Sequence, residues 1–195
     1  RARLLRRWVA DTGAPALPAH GVAALETELA HLQADREMRF AWRDVEIRRW
    51  RQRLYLLRPA APWPPGWQLD WDGATPLVLP DGGTLALAGA STFERPLRVR
   101  ARQGGERIVL PGRSHSHSLK HLLQDTHIPP WRRGTMPLLF DGADLLAAGD
   151  GIVSAGLQRW LDAHAARLHW HPPHDPVVGA TSVAIGTSPV EPHRD

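Results

Sequence analysis

The chain contains no cysteine. Disulfides, zinc–thiolate sites and cysteine nucleophiles are therefore excluded, and a reducing, cytoplasmic setting is the expectation. No run of about 18 apolar residues occurs, so no transmembrane helix is expected. The first residue is Arg1 and not methionine. No basic and then apolar segment leads to a small-residue cleavage site, so no signal peptide is read. A piece of a longer chain is expected. Lysine is almost absent, Lys120 being the only one. Neither a Walker A sequence nor GxGxxG occurs, and Gly82-Gly83 and Gly104-Gly105 read as simple turn pairs. Ser114-His115-Ser116-His117 matches a catalytic triad in composition alone, because no GxSxG turn accompanies it.

What is present is enough for one or two small domains with real cores: 195 residues, 43% of them hydrophobic. The net charge of +4 hides a strong segregation. Residues 98–133 hold eight Arg/Lys against Glu106 and Asp125, a net of +6. Residues 39–58 hold seven Arg against Asp44 and Glu46, a net of +5, and residues 1–7 hold four Arg and no acid. Basic blocks of this kind attract polyphosphate.

Periodicity predicts an α+β chain of two small modules. A short helix is expected over 3–10, with Leu4, Leu5, Trp8 and Val9 on one stripe, and a second over 19–34 with Val22, Leu25, Leu29 and Leu32 facing a core. Residues 39–57 alternate as a three-stranded meander turning at Arg43-Asp44 and Arg51-Gln52. These elements make a first module over 1–58. Pro59, Pro62, Pro64, Pro65 and Gly66 stiffen the boundary, and 59–95 reads as a connector with short strands at 67–71, 76–79 and 84–88.

A mixed, β-rich domain with one or two helices is expected over 96–171. It comprises a strand at 97–102, a loop at 103–117, a helix at 118–126 capped by Ser118 and stopped by Pro129-Pro130, strands at 136–140, 144–148 and 151–154, a helix at 156–165 and a strand at 166–170. Residues 172–195, rich in Pro, Gly, Ser and Thr, read as a poorly ordered tail.

Three segments carry candidate binding chemistry. In a strand over 97–102, Arg98, Arg100 and Arg102 share one face while Val99 and Ala101 pack inward, and Arg107 and Arg113 follow in the loop. Spaced guanidiniums suit a phosphate backbone, although an ordinary solvated strand face has the same pattern. In Ser118–Gln124, Leu119, Leu122 and Leu123 form the core stripe. Lys120, His121 and Gln124 share the outward side near a helix N-terminus that favours phosphate. After Pro129-Pro130, Trp131 offers a ring to stack on a base or to bury against the helix, with Arg132 and Arg133 beside it. His115, His117, His169, His171 and His174 lack an HExxH or acidic partner pattern, so no metal is expected.

Gly104-Gly105-Glu106-Arg107, Ser118-Leu119-Lys120-His121-Leu122-Leu123-Gln124, Ile128-Pro129-Pro130-Trp131 and Pro137-Leu138-Leu139-Phe140 together resemble, in order and spacing, the C-terminal domain of bacterial tRNA(Ile)-lysidine synthetases. Val45–Leu56 resembles the end of that family's substrate-binding domain. The resemblance covers about residues 1–170. His121 stands where the family usually has a second lysine, and His127 where glycine is usual. The family's SGGxDS loop is absent from this sequence. The resemblance implies an ATP-dependent ligase, working with Mg, that joins lysine to the wobble cytidine of the isoleucine tRNA with a CAU anticodon. It implies that its adenylation domain precedes Arg1, that this fragment holds the tRNA acceptor stem, and that the fragment alone has no catalytic residues, no cofactor and no activity. A general nucleic-acid-binding module and a basic protein-interaction module without a catalytic partner domain remain open. Oligomeric state is not legible.

Overall fold

The computed structural model describes residues 1–30, 38–51, 53–59, 61–90, 92–126, 128–173 and 179–182. The chain divides into two units, Arg1–Pro59 with Pro176–Asp195, and Ala60–Asp175.

The first unit begins with α1 (Ala2–Asp11) and α2 (Ala19–Ala30). Leu5 and Val9, one turn apart, are buried, and Trp8 packs partly against them. Leu4, expected on the same stripe, is 73% exposed, because the buried face is narrower than the sequence stripe. On α2, Val22, Leu25 and Leu29 are buried, and Leu32 lies outside the described residues. A Cβ at Gly21 would stand 2.4 Å from the Phe40 ring, so any larger residue here would push that ring aside.

That sheet is an antiparallel meander of β1 (Arg39–Trp42), β2 (Val45–Trp50) and β3 (Arg53–Leu57). Arg43 and Arg51 turn the chain with positive φ, as the alternation predicted. Trp42, Val45, Ile47, Leu54 and Leu56 join the helices in one core. Burying each such aliphatic side chain contributes roughly 1.5–3 kcal/mol.

The second unit is built on a five-stranded antiparallel sheet. Its strands, in spatial order, are β12 (Ile152–Val153), β11 (Asp144–Ala148), β10 (Leu138–Asp141), β7 (Leu97–Arg100) and β4 (Gln68–Trp71). Both faces of its centre are covered. On one side Leu97, Val99, Leu139 and Ala147 meet Leu157 and Leu161 of α5 (Ala155–Ala163). The same core takes Leu85 and Leu168 from a smaller sheet of β5 (Leu77–Val78), β6 (Thr84–Ala88) and β13 (Arg167–His171). On the other side Leu138, Phe140 and Leu145 meet Ile108 of β8 (Arg107–Val109) and Leu119 and Leu123 of α3 (Leu119–Asp125). β8 pairs with β9 (Ser116–Ser118), and α4 (Pro130–Arg133) follows α3.

Several expectations change here. β4 and β6, read as part of a connector, are woven into the sheets of the second unit. The expected loop at 103–117 contains the β8–β9 hairpin, and Pro130 opens a helical turn instead of merely ending one. Of the expected tail, β14 (Gly179–Ser182) pairs antiparallel with β3 in the first unit, and residues 174–178 and 183–195 lie outside the described residues. Among the described residues, no helix is long and apolar enough to cross a membrane.

Candidate nucleic-acid interface

β7 alternates as a half-covered strand must: Leu97 and Val99 are buried, Arg98 is exposed and Arg100 is half-buried. The single face of Arg98, Arg100 and Arg102 does not form. The strand ends at Arg100, and Arg102 turns to Glu106, 3.6 Å away, with only 23% of its side chain exposed. Arg98 donates through Nε to Asp70 at 3.0 Å, on the neighbouring strand β4. That hydrogen bond, and then the charge of Asp70, raise the pKa of the guanidinium further. Arg100 lies over the Phe140 ring, 4.1 Å from its centre, a cation–π contact that holds the side chain in place.

Glu106 organises the loop after β7. Its carboxylate is buried and accepts the backbone N–H groups of Gln103 at 2.6 Å and Gly104 at 2.9 Å. Burial pushes its pKa up, but those amide bonds and the charge of Arg102 outweigh burial and hold it below the ordinary glutamate value. The Glu106 carbonyl accepts the N–H of Leu119, tying this loop to the start of α3.

The hairpin and α3 carry the next group. Arg107 donates through Nε to Ser116 Oγ at 2.9 Å and also to the Ser116 carbonyl. Arg113 is exposed in the hairpin turn. Ser118 takes the N-cap position but makes no side-chain cap bond; it is also the last residue of β9, paired opposite Arg107. Lys120, His121 and Gln124 are exposed and Leu119 and Leu123 buried, the amphipathic division the spacing predicted. Arg132 and Arg133 are half-buried in α4, where Arg133 donates to the Ile128 carbonyl at 2.8 Å. Trp131 is half-buried in the same turn.

Two of the expected residues meet in one groove. Arg100 and Arg107 line a cavity of about 740 Å³ together with Gly104, Glu106, Asp144 and Arg159. Arg159 is exposed on α5 and was not singled out from the sequence, where it is one arginine on an ordinary amphipathic helix. Glu106 and Asp70, the acids that fix Arg102 and Arg98, were likewise legible only in three dimensions.

The class is given by two family models of substrate domains, one matching within each of the two α+β units. Residues 1–55 match the TilS substrate binding domain and residues 97–170 the TilS substrate C-terminal domain. A tRNA(Ile)-lysidine synthase of Xanthomonas campestris pv. campestris (strain 8004) is 63% identical over 172 residues, covering 87% of this chain and 40% of the relative. Its counterpart in Xylella fastidiosa (strain Temecula1) is 57% identical over 175 residues, and that in Methylococcus capsulatus 33% over 186, each with the same coverage of this chain and of the relative. The chain belongs to the tRNA(Ile)-lysidine synthase family, and it spans about 40% of the length of the curated relatives it matches.

Proposed function

We propose that this chain is the tRNA-binding C-terminal portion of a tRNA(Ile)-lysidine synthetase. In this reading it grips the acceptor stem of the isoleucine tRNA with a CAU anticodon. A catalytic domain elsewhere in the full protein uses ATP with Mg to join lysine to the wobble cytidine, in the cytoplasm. The observation that carries the reading is the 63% identity to a protein of that name over 87% of this chain. The exposed Lys120 and Arg113 and the held guanidiniums of Arg100 and Arg107 support it physically. A duplex RNA stem hides its bases in a deep, narrow major groove, so it is held through shape, phosphates and 2′-hydroxyls. Spaced, pre-positioned cations suit that task.

The chain alone is expected to release no pyrophosphate from ATP in the presence of lysine and tRNA. A salt titration of its binding to tRNA, duplex DNA and an acidic polypeptide tests the partner. The reading requires preferential tRNA binding whose affinity falls log-linearly with salt. Equal binding to duplex DNA would make it a general nucleic-acid module, and preference for the polypeptide a protein-interaction module.

A further inference from the structure

Trp42 pairs with Val45 and Trp50 with Arg53, so both turns of the first unit's meander are two-residue loops, Arg43-Asp44 and Arg51-Gln52. Each holds its arginine in the left-handed region, Arg43 at φ 50° and Arg51 at φ 55°. Hairpin loops of this length favour glycine, asparagine or aspartate at such a position, because the Cβ of any larger residue crowds the following carbonyl. Elsewhere the chain keeps to that rule. Ten glycines have positive φ, and among the described residues only Ala165 joins these two arginines as a non-glycine exception. Asparagine at 43 and 51 would serve the fold better.

The same arginines have no acid to pair with. The block 39–58 contains two carboxylates, and both are taken, Glu46 by Arg39 and Arg48 and Asp44 by Arg58. Arg43, Arg51 and Arg53 are exposed, and among the described residues none of the three makes an ion pair. The Arg51 guanidinium lies over the Trp50 ring, 4.7 Å from its centre, and Arg49 donates through Nε to the Arg51 carbonyl at 3.2 Å. A guanidinium stacked on a ring is fixed in place and keeps its N–H edge for a phosphate.

Spacing narrows the partner. The two turns stand at opposite ends of β2, roughly 25 Å apart at about 3.3 Å per residue. Tips that far apart cannot share a small anion, and they suit an extended polyanion. A duplex RNA stem offers its phosphates in that way. Strained residues persist where they serve something besides the fold.

We propose that Arg43 and Arg51, with Arg53 beside the second turn, form an RNA contact of the first unit in which each turn neutralises a phosphate of a base-paired stem. The proposal rests on the reading of this chain as a tRNA-binding portion.

The strain makes the test selective, because an arginine kept against the preference of the turn should raise stability when it is replaced. Melting of the whole chain, and its binding to tRNA across a salt series, are measured for the wild type, Arg43→Asn, Arg43→Lys and Arg51→Asn. Arg43→Asn is expected to melt about 2–4 °C higher than the wild type. It is also expected to weaken tRNA binding and to lower the log–log salt slope by about one. Arg43→Lys keeps both the cation and the strained turn, so its melting and slope are expected to match the wild type. Arg51→Asn is expected to lower the slope by about one, with a smaller gain in melting because the contact with Trp50 is lost. Polyglutamate that displaces tRNA as well as an RNA hairpin of equal charge would make an acidic protein the partner and overturn the proposal. So would an Arg43→Asn variant that melts below the wild type. If both asparagine variants keep the affinity and slope of the wild type while Lys120→Ala lowers them, this proposal alone is overturned. If the wild type binds no tRNA, the tRNA reading is overturned and this proposal with it.

Discussion

The basic blocks at 39–58 and 98–133 carry nearly the same excess of charge, +5 and +6, and spend most of it inside their own units on different partners. In the first, the cations are largely spent inside the unit. Arg39 and Arg48 both donate to the buried Glu46 at 2.6 Å, Arg58 pairs with Asp44 at 3.2 Å, and Arg51 lies over Trp50. In the second, Arg98 and Arg102 are spent in the same way on Asp70 and Glu106. Lys120 and Arg113 are exposed, as are Arg43 and Arg53 of the first block, and among the described residues none of these four side chains has a hydrogen-bond or ion-pair partner. A charge tally along a sequence counts cations. It does not separate those that hold the fold from those left for a partner.

The largest effect expected from this contrast is on stability in the first unit. Glu46→Ala strands two guanidiniums that share one buried carboxylate, and should cost about 3 kcal/mol in denaturant unfolding. Arg39→Ala, at a side chain 63% exposed, should cost about 1 kcal/mol or less. An unchanged unfolding midpoint for Glu46→Ala would remove the claim that this block is chiefly structural.

Glu106 is the counterpart in the second unit, held by backbone amides and one arginine. Glu106→Gln should cost about 1–2 kcal/mol. The pH dependence has a definite sign. Because the folded pKa lies below the unfolded value, about 4.3, the contribution of Glu106 is full above that pH and is lost as pH falls through the lower, folded value. Acid titration of unfolding should therefore show a steeper loss in the wild type than in Glu106→Gln. Parallel acid limbs would contradict the assignment.

The smallest contrast is between two helix starts. Ser154 Oγ accepts the N–H of Leu157 at 3.2 Å, and Ser118 makes no such bond. Ser154→Ala should cost about 1 kcal/mol and Ser118→Ala only a few tenths. Melting temperatures of the two variants check the order.

Much of the fold was legible along the chain because its elements repeat burial at the right period. Val22, Leu25 and Leu29 marked α2, and Val45, Ile47, Leu54 and Leu56 marked the meander. The β8–β9 hairpin was not legible. Its strands are three residues long, and Ile108 is its only deeply buried side chain. Within the candidate interface, the outward placement of Lys120, His121 and Gln124 followed from helical spacing. The fates of Arg98 and Arg102 did not, because Asp70 lies 28 residues away on another strand and the carboxylate of Glu106 depends on a loop turning back on itself. The approach of Arg159 to Arg100 and Arg107 is likewise a product of α5 packing on the sheet.

The central claim is that the exposed Lys120 and the ring-held Arg100 of the second unit contact tRNA. It is tested most directly by the salt dependence of tRNA binding in three single variants. Each phosphate contact contributes about 0.7–0.9 to the log–log slope. Lys120→Ala and Arg100→Ala should each weaken binding and lower the slope by about one. Arg58→Ala, which removes a cation already paired with Asp44, should leave affinity and slope as they are. Equal losses of slope in all three variants would show diffuse attraction to a basic protein, and unchanged slopes for Lys120→Ala and Arg100→Ala would place the RNA surface elsewhere.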